Sequence, residues 1–194
     1  MKKLIVFILV AALVLFGTSF ALQSAAAKKA QAEHLWLMQT LLPDSREFTR
    51  EAYDGEDANI RSVHKAENGF VIETVTHGYA DEITMFIGVN NDGKVTGLVV
   101  YEAHETFGLG NEALTDHVFL SQFLNRAGTF AVATNGADAF SGATGETDTA
   151  GDTVDIDGIT GATVTSKAIV RCVNSAIGYV TGADTSSGAT SWGG

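Results

Sequence analysis

Apolar and polar positions change rhythm several times along the chain, and each change marks an element. Residues Leu4 to Leu22, LIVFILVAALVLFGTSFAL, carry no charge and are long enough to cross a bilayer core as a helix. From Ala30 to Leu42 the apolar residues Leu35, Met38, Leu41 and Leu42 recur at helical spacing, and the only proline, Pro43, follows directly. That predicts a short amphipathic helix ending there. Between Asn68 and Glu102 the pattern becomes short β-rich runs, FVIETVT, ITMFIGV and KVTGLVVYE, separated by turn residues that include Asn90-Asn91-Asp92-Gly93. These predict an antiparallel meander with a tight turn at Asp92-Gly93. A second amphipathic helix is predicted from near Asn111 to Phe123. Residues 134–157 are Gly, Ala, Thr, Ser and Asp with almost no large apolar side chains, which predicts an exposed loop. Beyond it, Ile169, Cys172, Val173, Ala176, Ile177 and Val180 fall on one helical face, so a final helix follows.

The sum is an α+β chain: a single N-terminal transmembrane helix, then one domain with an antiparallel sheet and flanking helices. The boundaries read 1–22 for the N-terminus and anchor, 23–48 for a juxtamembrane helix and linker, 49–182 for the domain, and 183–194 for a flexible tail. With 194 residues and 45% hydrophobic content, one ordinary core is the expectation. The first run exceeds the ~7 to 15 residue core of a signal peptide, which favours a retained anchor, although SAAA at 24–27 offers small residues that a signal peptidase accepts. Lys2 and Lys3 before the run are balanced by Lys28 and Lys29 after it, so charge leaves the orientation open.

Charge and residue inventory mainly exclude. A formal charge of −11 and a pI near 4.7 argue against a nucleic-acid surface, which needs clustered Lys and Arg. One cysteine, Cys172, permits neither an internal disulfide nor a thiolate cluster, and its place in the apolar stripe marks it as a small core residue. His34, His64, His77, His104 and His117 show no metal-ligand spacing. Glu146, Asp148, Asp152, Asp155 and Asp157 do not fit a calcium loop. No nucleophile-base motif is present, so no metal site and no catalytic residue is expected.

One pattern is repeated. Asp138 leads to Ser-Gly-Ala-Thr ending at Thr144, Asp157 to Thr-Gly-Ala-Thr ending at Thr163, and Asp184 to Ser-Gly-Ala-Thr ending at Thr190. Only the middle copy stands immediately before a predicted helix. A helix start carries unpaired N–H groups and a positive dipole end, so a phosphate at Thr163, Thr165 or Ser166 is favoured there. Gly161 and Ala162 leave little bulk beside the Thr163 hydroxyl. The same spacing also suits a plain N-cap after a glycine turn, which needs no ligand.

The run DGITGATVTSKAIV resembles the flavinylation motif of the FMN-binding domain family, which occurs in the G-type subunit of Rnf electron-transport complexes and the C-type subunit of sodium-pumping NADH:quinone reductases. In that family a flavin transferase attaches FMN by a phosphoester bond to the last threonine of Asp-x-x-Ser/Thr-Gly-Ala-Thr. The resemblance implies covalent FMN on Thr163, with Asp157, Thr160, Gly161 and Ala162 as recognition residues. His77-Gly78-Tyr79, Asn91-Asp92-Gly93-Lys94, His104-Glu105-Thr106-Phe107-Gly108-Leu109-Gly110 and Gln122-Phe123 follow the family's order. It therefore places Glu105, Thr106, Gly108, Leu109 and Gly110 against the flavin, where the glycines admit a flat ligand and Leu109 gives apolar contact. Phe107 stands where the family usually has proline, which releases a φ restraint in that loop, and Ala80-Asp81 replace a usual Gly-Gly.

What the resemblance implies is a covalent-FMN electron-carrier subunit of a membrane Rnf-type complex coupling ferredoxin:NAD electron transfer to Na+ or H+ translocation. Its partners would be the other Rnf subunits, the transferase during maturation, and the membrane through residues 4–22, with no nucleic acid. Its place would be a bacterial or archaeal cell membrane, single-pass, with the FMN domain on the extracytoplasmic side. The C-type subunit of a sodium-translocating NADH:quinone reductase is the nearer alternative, which the short chain disfavours. A stand-alone FMN-bearing redox domain and a flavin-free surface domain are the others.

Overall fold

The computed structural model describes residues 26–105, 109–133 and 153–183. The expected anchor at 4–22, Thr106 to Gly108, the first and third copies of the repeated pattern, and the tail from residue 184 lie outside the described residues. Among the described residues no helix is long and apolar enough to cross a membrane. The chain divides into two units, Met1–Leu37 and Met38–Gly194. Helical residues 26–37 of the first unit carry a Lys29–Glu33 ion pair one turn apart at 3.7 Å. In the second, residues 38–41 are helical and Met38, Leu41 and Leu42 are buried. We number helical residues 26–41 as α1.

A five-stranded antiparallel sheet runs in chain order through β1 (Thr49–Glu51), β2 (Ile60–Ala66), β3 (Gly69–His77), β4 (Glu82–Asn90) and β5 (Val95–Ala103). β3, β4 and β5 are the three runs of the expected meander; β1 and β2 add two strands on its far side. At the β4–β5 turn the Asn90 side chain accepts from the amides of Asp92 at 3.1 Å and Lys94 at 2.8 Å. Gly93 there takes a positive φ of 78°, a conformation open to glycine without a Cβ clash.

Helix α4 (Thr163–Thr181) lies on one face of this sheet. Its predicted stripe, Ile169, Cys172, Val173, Ala176 and Ile177, is buried with Ile72, Ile83, Met85 and Ile87 of β3 and β4. Each fully buried large aliphatic side chain contributes about 1.5 to 3 kcal/mol. Gly182 ends the helix in the left-handed conformation, φ 68°, its N–H donating to Gly178 O at 2.9 Å. Tyr179, near the end of α4, meets Phe70 at the start of β3 with ring centroids 5.6 Å apart. Arg171, two turns earlier, bonds Thr76 and His77 at the strand's other end. α4 therefore runs antiparallel to β3, and its first turn points past the end where β3 and β5 finish.

On the sheet's other face Gly88 and Gly97 are cross-strand partners, and the backbone of Leu41 lies against both. Thr96 Oγ1 donates to Leu41 O at 2.6 Å. The two glycines thus form a slot for the chain segment that enters the domain.

Two expectations are corrected. Residues 153–157, placed by composition in an exposed loop, form β7 (Thr153–Asp157), paired in parallel with β6 (Thr129–Ala133). Thr-Val-Asp-Ile-Asp alternates, and Val154 and Ile156 turn inward at 2% and 0% exposure. The helix expected from Asn111 to Phe123 is two helices, α2 (Leu109–Thr115) and α3 (His117–Ser121). Asp116 breaks it, because its carboxylate accepts from the amides of Val118 at 2.7 Å and Phe119 at 3.1 Å as the N-cap of α3.

Asn174 of α4 fixes β6 from the buried side: its Nδ2 donates to Phe130 O and its Oδ1 accepts from Phe130 N, both at 2.9 Å. Asn174→Ala leaves two buried backbone groups without these bonds, and urea unfolding should show a loss of about 2 to 4 kcal/mol.

Candidate functional site

The start of α4 is built by the segment that leaves β7. Gln122, just after α3, brackets the backbone of Asp157: Asp157 N donates to Oε1 at 2.8 Å and Nε2 donates to Asp157 O at 3.1 Å. Ala162 N donates to Ile159 O at 2.9 Å, and Gly161 adopts φ 82°, so the chain turns sharply before the helix. Ala162 is the N-cap and provides no side-chain hydrogen bond, and the first turn contains no acidic residue. The helical ladder opens with Ser166 N donating to Ala162 O at 2.9 Å. The N–H groups ahead of it leave a positive end suited to an anion.

Side chains divide sharply here. Asp157, Thr160, Gly161 and Thr163 are exposed, and Thr163 is the first helical residue. Thr165 and Ser166 are buried, and the Ser166 hydroxyl accepts from Ile159 N at 3.2 Å. The exposed hydroxyls here are those of Thr160 and Thr163, of which only Thr163 stands on the helix, whereas Ser166 serves the local fold and can offer an anion its backbone.

A second group of residues belongs to the same end of the sheet. Gly78 N donates to Asp81 O at 2.8 Å to close the β3–β4 turn, and the Asp81 carboxylate accepts from Glu82 N at 2.8 Å. The departure from the family's glycines thus supplies a cap for β4. Just past β5, Glu105 Oε1 accepts from Tyr79 N at 2.8 Å. A Cβ on Gly78 would overlap Glu105 Oε1, so glycine is what lets this carboxylate rest on the turn. Glu105 Oε2 is buried and has no hydrogen-bond partner among the described residues. Leaving such an acceptor unmatched costs about 1 to 3 kcal/mol, more when charged, and a donor on a ligand would remove that cost.

The antiparallel course of α4 accounts for the juxtaposition. Thr163 lies eight residues before Arg171, about 12 Å along the helix axis, beyond the end of β3 to which Arg171 is bonded. The exposed hydroxyl, the 77–81 turn and Glu105 therefore share one end of the domain. α2 begins there too, with Leu109 and Gly110. These features fit FMN: an exposed hydroxyl at a helix start that suits a phosphate, and a buried acceptor beside the turn at Gly78.

Along the sequence Gln122 stands out only as part of a matching order of motifs, and Arg171 and Asn174 not at all. Nothing in their spacing marks them, because each acts on backbone groups brought near by tertiary packing. Among the described residues no group of three or more His, Cys, Asp or Glu is arranged to hold a metal.

Burial pushes the Cys172 thiol up to about 11, against partial relief from the neighbouring Thr74 side chain and the Arg171 charge. The unfolded thiol ionises near 9.0, so its contribution to stability is complete below that pH and is lost as pH rises through about 11. Folded protein should resist iodoacetamide at mildly alkaline pH while the denatured chain reacts at once; equal rates would contradict this burial.

Residues 78–178 match the FMN-binding domain family, and the chain belongs to it. FMN is thus its cofactor class. The chain is 34% identical over 110 residues to the G-type subunit of the Na(+)-translocating ferredoxin:NAD(+) oxidoreductase complex of Acetobacterium woodii, covering 56% of this chain and 47% of that protein. It is 32% identical over 112 residues to the G-type subunit of the proton-translocating ferredoxin:NAD(+) oxidoreductase complex of Clostridium ljungdahlii, covering 58% and 53%. The chain thus spans about half the length of these relatives. Its fold is shared with the crystal structure of the C-type subunit of the Na(+)-translocating NADH-quinone reductase from Parabacteroides distasonis, with a TM-score of 0.51 at 20% identity over 80% of this chain and 94% of that one.

Proposed function

We propose that this chain is the covalent-FMN, electron-carrying subunit of an Rnf-type membrane complex that couples ferredoxin:NAD electron transfer to Na+ or H+ translocation. The observation that carries the reading is the Thr163 hydroxyl, exposed at the first position of a helix without a side-chain cap and preceded by Asp157-x-x-Thr-Gly-Ala. Transfer of the FMN group of FAD to Thr163 Oγ1 by a flavin transferase would form the phosphoester, with AMP and the hydroxyl proton released. The N–H groups of the first turn of α4 would hold the phosphate charge that remains.

When bound, FMN supplies the redox chemistry; the chain holds and orients it and limits its contact with water. Glu105 Oε2 offers the ring or ribityl chain an acceptor, and Gly78 keeps that carboxylate in place. The subunit does not complete the exchange alone. Its partners are the other subunits of the complex, and residues 4–22 anchor it in the membrane with the domain on the extracytoplasmic side.

The fold shared with the quinone reductase's C-type subunit keeps that second reading in view, but the relatives matched in sequence are G-type subunits. Purification from the native membrane tests the proposal. The chain should co-purify with Rnf subunits, and acid precipitation should leave the yellow colour in the protein pellet. Flavin released entirely into the acid supernatant would contradict the covalent link, and co-purification with quinone-reductase subunits would favour the C-type assignment.

A further inference from the structure

We propose that Arg171 is a positioning residue of the flavin site: by tying the end of β3 to α4 it fixes the turn whose Tyr79 amide orients the Glu105 carboxylate. The inference rests on the reading of this end of the domain as the FMN site.

Arg171 Nη2 donates to His77 O at 2.8 Å, and its Nε donates to Thr76 Oγ1 at 3.3 Å. Two donors of one planar guanidinium thus hold the last two residues of β3, a geometry that a flexible ammonium reproduces poorly. The next residue, Gly78, closes the turn onto Asp81, and the one after it, Tyr79, donates to Glu105 Oε1 at 2.8 Å. Tyr79 is otherwise exposed at 66%, so packing of its side chain does little to hold this turn. The path from α4 to Glu105 therefore runs through three consecutive residues, His77 to Tyr79, and a hydrogen bond at each end.

Arg171 lies about 12 Å along the helix from Thr163, and its guanidinium is engaged by Thr76 and His77. The same helix thus does two jobs at one end of the domain. Its first residue provides the tether, and its third turn sets the turn against which Glu105 rests. Loss of Arg171 leaves Thr163 and the start of α4 unchanged but releases the acceptor.

The test uses the full chain matured with its flavin transferase, as wild type, Arg171→Gln, Arg171→Lys and Ser175→Ala. Ser175 is one turn further along α4, where it receives a hydrogen bond from Asn59 Nδ2 at 3.2 Å, and serves as a control for the general loss of an α4 contact. Arg171→Gln should keep covalent flavin but shift its midpoint potential and visible spectrum beyond the spread between wild type and Ser175→Ala, with Arg171→Lys restoring only part of the change. In flavin-free protein carrying Thr163→Val, Arg171→Gln should speed exchange of the Tyr79 amide by about tenfold, the effect of losing one well-formed hydrogen bond. Unchanged Tyr79 exchange overturns the proposal even if the wild type proves colourless, and so does an unshifted potential in a flavin-bearing Arg171→Gln. Absence of flavin in the wild type overturns the FMN reading instead, which keeps the two failures apart. Should Arg171→Gln not fold, the Arg171→Lys chain must show the same two changes in smaller degree, and an Arg171→Lys chain identical to wild type in both readouts counts against the proposal.

Discussion

Thr163→Val, matured beside a flavin transferase, should carry no covalent flavin at all, whereas Thr144→Val and Thr190→Val should each retain it. Valine keeps the shape of threonine and removes only the hydroxyl. The site is exposed, and among the described residues the Thr163 side chain makes no hydrogen bond, so the helix start should survive the change. Gln122 and the turn through Gly161 would still hold the segment in place. The loss therefore reports the nucleophile rather than the fold. Flavin fluorescence of the denatured band on a gel reads all three variants, and a fluorescent Thr163→Val band would defeat the site assignment. Thr144 and Thr190 share the pattern Asp-x-x-Ser-Gly-Ala-Thr but neither precedes the helix whose first turn favours a phosphate.

Gly88→Val should damage the sheet severely. A Cβ at residue 88 would overlap the Leu41 carbonyl oxygen, and the Leu41 backbone carbon lies within 2.7 Å of it. The obstacle is backbone held by the Thr96 hydroxyl, so it cannot give way as the end of a flexible side chain can. Either the segment from Met38 to Leu42 leaves its slot, or β4 shifts away from β5. Overpacking of this kind costs about 1 to 3 kcal/mol and occasionally more, and the buried surfaces of Met38, Leu41 and Leu42 would be lost in addition. Urea unfolding should show a drop of about 3 kcal/mol or more. A stability within about 0.5 kcal/mol of wild type, the usual range for a surface substitution, would mean that the slot is not needed.

The parts of this architecture legible in the sequence are those governed by local rhythm. The stripe from Ile169 to Ile177 announces α4 because one face of a long helix must be apolar to bury. The runs of β3, β4 and β5 are legible through their turns. β7 is not, since only Val154 and Ile156 alternate there, within a stretch whose composition suggests a loop. Its pairing with β6 is parallel and non-local, and short-range pattern carries no record of such pairing. The break between α2 and α3 hinges on a single aspartate, Asp116, whose capping role competes with the apolar periodicity around it.

The site shows the same division. Thr163 can be singled out from a motif and its position before a helix. Why Glu105, the 77–81 turn and Arg171 should lie at the same end of the domain as Thr163 cannot be read from spacing, because that depends on α4 running antiparallel to β3. The burial of Ser166 likewise follows from its bond to Ile159 N, a contact that the motif does not reveal.

Intact mass of the full chain expressed with its transferase, followed by peptide mapping, tests the central claim most directly. The account predicts an increment of one esterified FMN, located on the peptide that contains Thr163. An unmodified mass after such maturation, or an increment confined to the peptides bearing Thr144 or Thr190, would contradict it.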